Sequence, residues 1–337
     1  SVLFECGGRM PLRGFRHNPM VLVQGMAESA LTYFAVYWVL VWLDMPAHVA
    51  GPLALVALAA SPAVLTRVVA DTRAAGPVTE RAIVLATLST LYALTLGSAR
   101  AEQINRQSVT LLDTMYPVVV VLGVSIIVAA VLSLALRMAL RFMSPTSENT
   151  SMLWLALIAA ATAVAAHMGG SAPLAALLGG MLLKQLNPRP WAWPRQLGNA
   201  SSLLTMLMFV LVSTVAAQAD WSGPVAGVVL TLIAVRLAAK AVGVGLGNVG
   251  SGASWRQALW VGCAMTPMSS IALLIASQFV VASPSTGHLI ARVALPAILL
   301  MEVLGAVIAT VAIYRAGESS KPWAPLSRGG NGDRSES

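Results

Sequence analysis

Ten stretches of this chain are apolar enough, and about long enough, to cross the hydrocarbon core of a bilayer. They fall near residues 20–43, 50–70, 79–98, 115–141, 151–168, 171–185, 199–217, 222–247, 256–280 and 288–314. Backbone groups in lipid must bond within their own segment, so a chain dominated by such runs folds as a bundle of helices. The run 171–185 is short and follows its predecessor after only MGGS, which predicts a tight hairpin or a partly re-entrant pair. Composition closes off a soluble alternative. Only 10% of the residues are charged and 57% are hydrophobic, whereas a soluble domain carries roughly 25% charged residues. The expectation is an all-α polytopic membrane protein with about ten transmembrane helices.

The net charge of +8 is distributed by side rather than by patch. Arg9, Arg13 and Arg16 precede the first run, and Arg67, Arg73 and Arg81 surround the second connection. Arg137 and Arg141, then Lys184, Arg189 and Arg195, then Arg256, then Arg315, Lys321, Arg328 and Arg334 mark every other connection and the end. The intervening connections carry Asp44, a mixture of Arg100, Glu102, Arg106 and Asp113, and Asp220. Cytoplasmic loops attract Lys and Arg, so ten spans with both ends cytoplasmic satisfy every connection. Topology accounts for the basic excess, and no nucleic-acid partner is expected. The tryptophans of WAWP, residues 191–194, fit the membrane interface. Residues 1–315 read as one transmembrane domain, with SVLFECGG resembling the end of an apolar segment already in progress; the domain is expected to be incomplete at its amino end. Residues 316–337, polar and rich in Gly, Ser and Pro, read as a disordered cytoplasmic tail. Cys6 and Cys263 suggest no disulfide, and the four scattered histidines have no metal-ligand spacing. No cofactor is expected, and no span supplies the nucleophile or base of an enzyme.

Two of the apolar runs contain their own weak points. GCAMTPMSSIALLIA, residues 262–276, gathers Thr266, Pro267, Ser269 and Ser270 near its middle, and LAASPAVLT, residues 58–66, gathers Ser61, Pro62 and Thr66. Proline removes a backbone donor and clashes with the carbonyl four residues back, so both helices are predicted to be interrupted. By the orientation above, one runs inward and the other outward. Paired discontinuous helices of opposite direction suit an inverted-repeat transporter, whose unwound backbone offers carbonyls to cations and amides to anions. Such backbone survives in a membrane only where protein or a water-filled cavity covers it. Charged residues within the runs point the same way. Arg236 and Lys240 are four apart and share a helix face, Glu28 lies about 12 Å into the first run, and Glu302 is near the centre of the last. Buried charges in membrane spans demand partners or a water path.

With these segments in order, the chain resembles the monovalent cation/proton antiporter family of bacteria, the sodium/hydrogen exchanger-like membrane domain. The likeness runs from LFECGGRMPLRGFR to YRAGES. SPAVLTRVVADTRAAGPVT looks like the family's first discontinuous helix, SAPLAALLGGMLLKQ its short helix, and GCAMTPMSSIALLIASQ its second crossing helix. RLAAKAVG is similar to the helix bearing the basic residue of the ion site, which places that residue at Lys240. MEVLGAVIATVAIYRAGES resembles the closing helix. The resemblance implies an antiporter-like inverted-repeat fold with two crossing discontinuous helices, a multi-pass location in the cytoplasmic (inner) membrane, and a homodimer in membrane lipid. It implies protons and a small monovalent ion as partners. The expected ion pathway is Ser61, Thr66, Ser89, Thr90, Arg236, Lys240, Thr266, Ser269 and Ser270.

One departure stands out. Where the family carries one or two acidic residues after the first broken helix, RAIVLATLSTLYALTLGS places Ser89 and Thr90. Hydroxyls help to coordinate a cation, but neither takes up and releases a proton near neutral pH. Lys240 is expected close to Ser89 or Thr90 and near no carboxylate, since the family match puts neither Glu28 nor Glu302 at the ion site. Three functions stay open: proton-coupled exchange of Na+ or K+ by an altered site, an antiporter fold without turnover that serves as a sensor or assembly module, and a membrane enzyme.

Overall fold

The computed structural model describes residues 2–8, 19–106, 111–144, 147–187, 195–217, 221–249, 252–268 and 270–320. Among them the helices are α1 (Val2–Gly8), α2 (Met20–Trp42), α3 (Ala47–Leu58), α4 (Pro62–Thr72), α5 (Pro77–Arg106) and α6 (Leu111–Phe142). They continue with α7 (Glu148–His167), α8 (Ala172–Leu186), α9 (Arg195–Ala217), α10 (Gly223–Leu246), α11 (Trp255–Ala264), α12 (Ser270–Ala282) and α13 (Pro284–Ala316). WAWP, Ser269 and residues 321–337 lie outside the described residues.

Both interruptions predicted from sequence are present. The helix over residues 47–72 opens at Ala59–Ser61, where Ser61 Oγ accepts the Val64 N–H at 3.3 Å and Pro62 opens α4. Both choices suit a helix start: the hydroxyl satisfies an orphan donor, and proline has no donor to lose. The helix over residues 255–282 opens at Met265–Met268, leaving α11 and α12 as separate halves. Ser254 and Gln257 form a reciprocal capping box at the start of α11.

Six stretches among the described residues are long and apolar enough to cross a membrane: Ala47–Thr72, Pro77–Ile104, Met115–Phe142, Glu148–His167, Gly223–Leu246 and Pro284–Ala316. Ala172–Leu186 and Ile271–Ala282 are shorter apolar helices. The sequence predicts ten runs, and the difference lies partly in α2 and α9. Both have crossing length, but α2 is diluted by Gln24, Glu28, Ser29 and Thr32, and several residues within α9 lie outside those whose side chains are described.

Packing divides the helices into two groups. Around the interruptions, α2, α3, α5, α10, α12 and α13 share a core that includes Leu53, Leu58, Ile233, Ile271, Phe279 and Met301. Away from it, α1, α6, α7 and α8 pack on Phe4, Leu136 and Trp154, with the Phe4 and Trp154 rings edge to face at 6.0 Å. The start of the segment expected as a tail is ordered. Glu318 accepts hydrogen bonds from the N–H groups of Val78 and Thr79 at the start of α5, and from the Thr79 hydroxyl. Ser319 Oγ donates to the Thr72 carbonyl and Ser320 Oγ to that of Arg73.

Candidate functional site

The broken α3–α4 helix releases a row of carbonyls that no helix can satisfy, and the side chains of two other helices take each one. Arg236 Nε donates to the Ala57 carbonyl at 2.7 Å and Nη2 to that of Ala59 at 2.8 Å. Lys240 Nζ donates to the Leu58 carbonyl at 3.3 Å. The Thr90 hydroxyl, on α5, reaches the Ala60 carbonyl at 3.0 Å and its own helix at Ala86. Buried backbone groups are costly when unpaired, so this row is part of what holds the interruption open. Arg236 Nη1 also donates to the Thr266 carbonyl, at 2.6 Å, in the second interruption. One guanidinium therefore ties the two breaks together. It receives the negative ends of α3 and α11 and is fully buried.

The Thr266 hydroxyl donates locally to the Cys263 carbonyl, and that of Thr66 to Ala63 within α4, so Thr66 is not brought into the group. Ser61 serves as the α4 cap. Ser270 starts α12.

Glu28 completes the site and corrects the reading of Lys240 as remote from any carboxylate. Lys240 Nζ stands 2.7 Å from Glu28 Oε1, with both side chains fully buried. The Thr32 hydroxyl donates to the same oxygen at 3.1 Å. Oε2 accepts from Ser89 Oγ at 2.6 Å and from Ser29 Oγ at 3.3 Å. Lys240 and Ser89 are thus brought together as expected, but through a carboxylate from α2. The signal was present in MVLVQGMAESALTYF: Gln24, Glu28 and Thr32 recur every four residues, a polar stripe on one face of an apolar helix. All three are buried, with Ser29 beside them. That stripe could have placed Glu28 against the basic face of α10 without any reference to a family pattern.

Close approach of α2 and α10 makes this contact possible. A β-carbon at Gly243 would stand 2.7 Å from the Glu28 Cα, and one at Gly247 would stand 2.7 Å from the Gln24 Cα. Glycines four apart let the two backbones meet, as at other tight contacts between membrane helices. Gln24 Nε2 then donates to the Val244 carbonyl at 2.9 Å. Nearby lies a cavity of about 720 Å³, lined among others by Ser29, Tyr33, His48, Leu58, Tyr92 and Arg100. Two of these, Ser29 and Leu58, also bond the ion pair, so the cavity reaches its edge.

Interrupted helices joined at a buried guanidinium, with a buried ion pair alongside, define an all-α polytopic membrane protein of antiporter-like fold. The sequence matches the transmembrane sodium/hydrogen exchanger family over residues 2–315, and the chain belongs to that family. It is a multi-pass membrane protein of a transporter family rather than of an enzyme family. Its fold is similar to two structures of the sodium proton antiporter MjNhaP1 from Methanocaldococcus jannaschii. One, at pH 8, superposes with a TM-score of 0.65 at 15% identity, covering 94% of this chain and 81% of that one. The other, from an electron-microscopy map, gives 0.69 at 16% identity, covering 95% and 83%. No curated protein matches the sequence.

Proposed function

We propose that the protein exchanges a small monovalent cation, Na+ or K+, for protons across the cytoplasmic membrane. The observation that carries this reading is the Lys240–Glu28 pair, buried beside two interrupted helices. A desolvated cation needs oxygen ligands and a countercharge, and the pair supplies a carboxylate whose present countercharge is a removable proton on an amine. Ser89 and Thr90 stand in place of the family's acidic residues on α5, and their hydroxyls serve as ligands and braces rather than as proton carriers. The two interrupted helices cross where Arg236 joins them, in a bundle of ten spans with both ends cytoplasmic. By family likeness the working unit is a homodimer. Family membership and the ion pair together favour exchange over a fold without turnover, because an inert scaffold has little use for a buried acid and base in contact.

The test is reconstitution in sealed vesicles holding an interior pH dye, with sodium, potassium, lithium and chloride salts of a large inert cation added in turn. The expected result is a pH response that one alkali cation evokes, that saturates, and that protein-free vesicles lack. Silence toward every cation, from protein shown to be folded and inserted, would overturn the reading in favour of a sensor or assembly role.

A further inference from the structure

We infer that the cation-binding carboxylate of this chain has moved from α5 to α2, where Glu28 takes one cation in exchange for one proton released by its partner Lys240. The inference rests on the antiport reading and adds the identity of the group and the stoichiometry. Glu28 is the one fully buried carboxylate among the described residues, while Glu302 is partly exposed and lies on α13. The helix expected to carry the acid instead turns a hydroxyl toward it: Ser89 donates to Glu28 Oε2 at 2.6 Å. An aspartate at 89 would set two carboxylates on one another, so serine at 89 and glutamate at 28 are a matched pair.

The ligand set follows from the same contacts. Glu28 offers two carboxylate oxygens, and the hydroxyls of Ser29, Thr32 and Ser89 each keep lone pairs while donating to it. The Leu58 carbonyl, now bonded to Lys240, lies on the same side. These oxygens suit a hard monovalent cation, whereas an anion would be repelled by the Glu28 carboxylate at their centre.

Charge counting sets the stoichiometry. The ionisable groups that face Glu28 are Lys240, in contact with it, and Arg236, one turn along α10. From α3 it is approached by the backbone of the break, and from α5 by Ser89. With both basic groups protonated and Glu28 ionised, the site holds one net positive charge. A cation that takes the place of the Lys240 ammonium on Glu28 keeps that charge only if Lys240 releases its proton. The N–H bond breaks, its electron pair stays on nitrogen, and the proton leaves to water. Return of a proton to Lys240 restores the ammonium and expels the cation. Acid and base act as one titrating unit holding a single exchangeable proton. Arg236, tied to three carbonyls, stays charged throughout.

The experiment measures proton release from purified protein in weakly buffered detergent as sodium or potassium is added, alongside vesicle transport at imposed voltages. Wild type should release one proton per cation bound, and its exchange should be insensitive to voltage. Glu28→Gln should lose both release and transport. Because that change strands a buried ammonium, the double variant Glu28→Gln/Lys240→Met provides a second arm: both charges go, the protein should insert like wild type, and release should be absent. Glu28→Gln/Ser89→Asp should regain cation-dependent release, since it returns the acid to α5. A responsive wild type whose Glu28→Gln or double variant releases protons alike would overturn the relocation and leave antiport standing. Voltage-driven exchange would overturn the one-for-one count. A wild type silent to all cations would overturn both.

Discussion

At the residue scale, Arg236 and Lys240 share a face of α10 yet differ in what their loss exposes. Arg236→Gln removes the donor to the carbonyls of Ala57, Ala59 and Thr266, and each buried acceptor left unpaired costs about 1–3 kcal/mol. We expect that variant to show a sharply lower membrane-inserted yield, measured by size-exclusion chromatography of detergent extracts. A yield equal to wild type would show that the guanidinium is not the clamp between the breaks. Lys240→Gln should weaken folding as well as exchange. Glu28 would be left buried without its counterion, a loss of about 3–5 kcal/mol for a broken buried pair. Gly243→Ala tests the approach of the helices: its methyl meets the Glu28 Cα at 2.7 Å, so α2 must shift. Exchange should weaken far more than inserted yield falls, and unchanged exchange would show that the tight contact does not position Glu28. The basic pair was legible from its spacing of four. Glu28 was equally visible as a polar stripe, but a local pattern does not say which helix it faces, and the family's arrangement pointed elsewhere.

Among the elements, the two interruptions were the most legible features, because proline and hydroxyls have fixed local consequences. Pro62 with Ser61 predicts a helix start, and that is what α4 shows. What sequence could not reveal was how the freed carbonyls are satisfied, since the partners Arg236, Lys240 and Thr90 come from distant parts of the chain. The same limit hid the docking of residues 318–320, which composition assigned to a disordered tail. Glu318 closes the start of α5, the helix that presents Ser89 and Thr90, with three hydrogen bonds at 2.7–2.8 Å. A carboxylate there satisfies orphan N–H groups and meets the positive end of the helix dipole, together about 0.5–2 kcal/mol for a cap. Glu318→Ala should therefore speed amide hydrogen exchange at Val78 and Thr79 and in the connection around Ala75, whose N–H bonds the Glu318 carbonyl, while leaving the α3–α4 break protected. Exchange unchanged at 75–79 would mean that the contact contributes nothing in the membrane.

For the whole molecule, one contact brings together two helix ends that the basic residues are expected to place on the same side. Glu318 joins the end of α13 to the α4–α5 connection, both on the side to which Arg73, Arg81 and Arg315 assign the cytoplasm. His48 and Arg100, at the opposite ends of α3 and α5, line the cavity that reaches Ser29 and Leu58 beside the ion pair. The site is approached from the His48 and Arg100 ends of these helices, while at the other end α2 and α10 are closed on one another at Gln24 and Gly247. The orientation expected from the basic residues would make the open end the outer one. Residue labelling tests the assignment directly. Cys6 and Cys263 are the only cysteines, so replacing both with serine gives a background in which single cysteines report their own side. His48 and Ala75 are both exposed and flank opposite ends of the broken α3–α4 helix. In intact cells, His48→Cys should react with a membrane-impermeant thiol reagent, and Ala75→Cys should react only once the membrane is permeabilised. The reverse pattern would invert the orientation and turn the cavity toward the cytoplasm. With the expected pattern, added sodium or potassium at saturating concentration should slow labelling of a cysteine placed at Gly51, which lines the same cavity, if occupation of the Glu28 site draws the bundle toward its inward form. A rate independent of cation would show that the cavity does not change with occupation of the site.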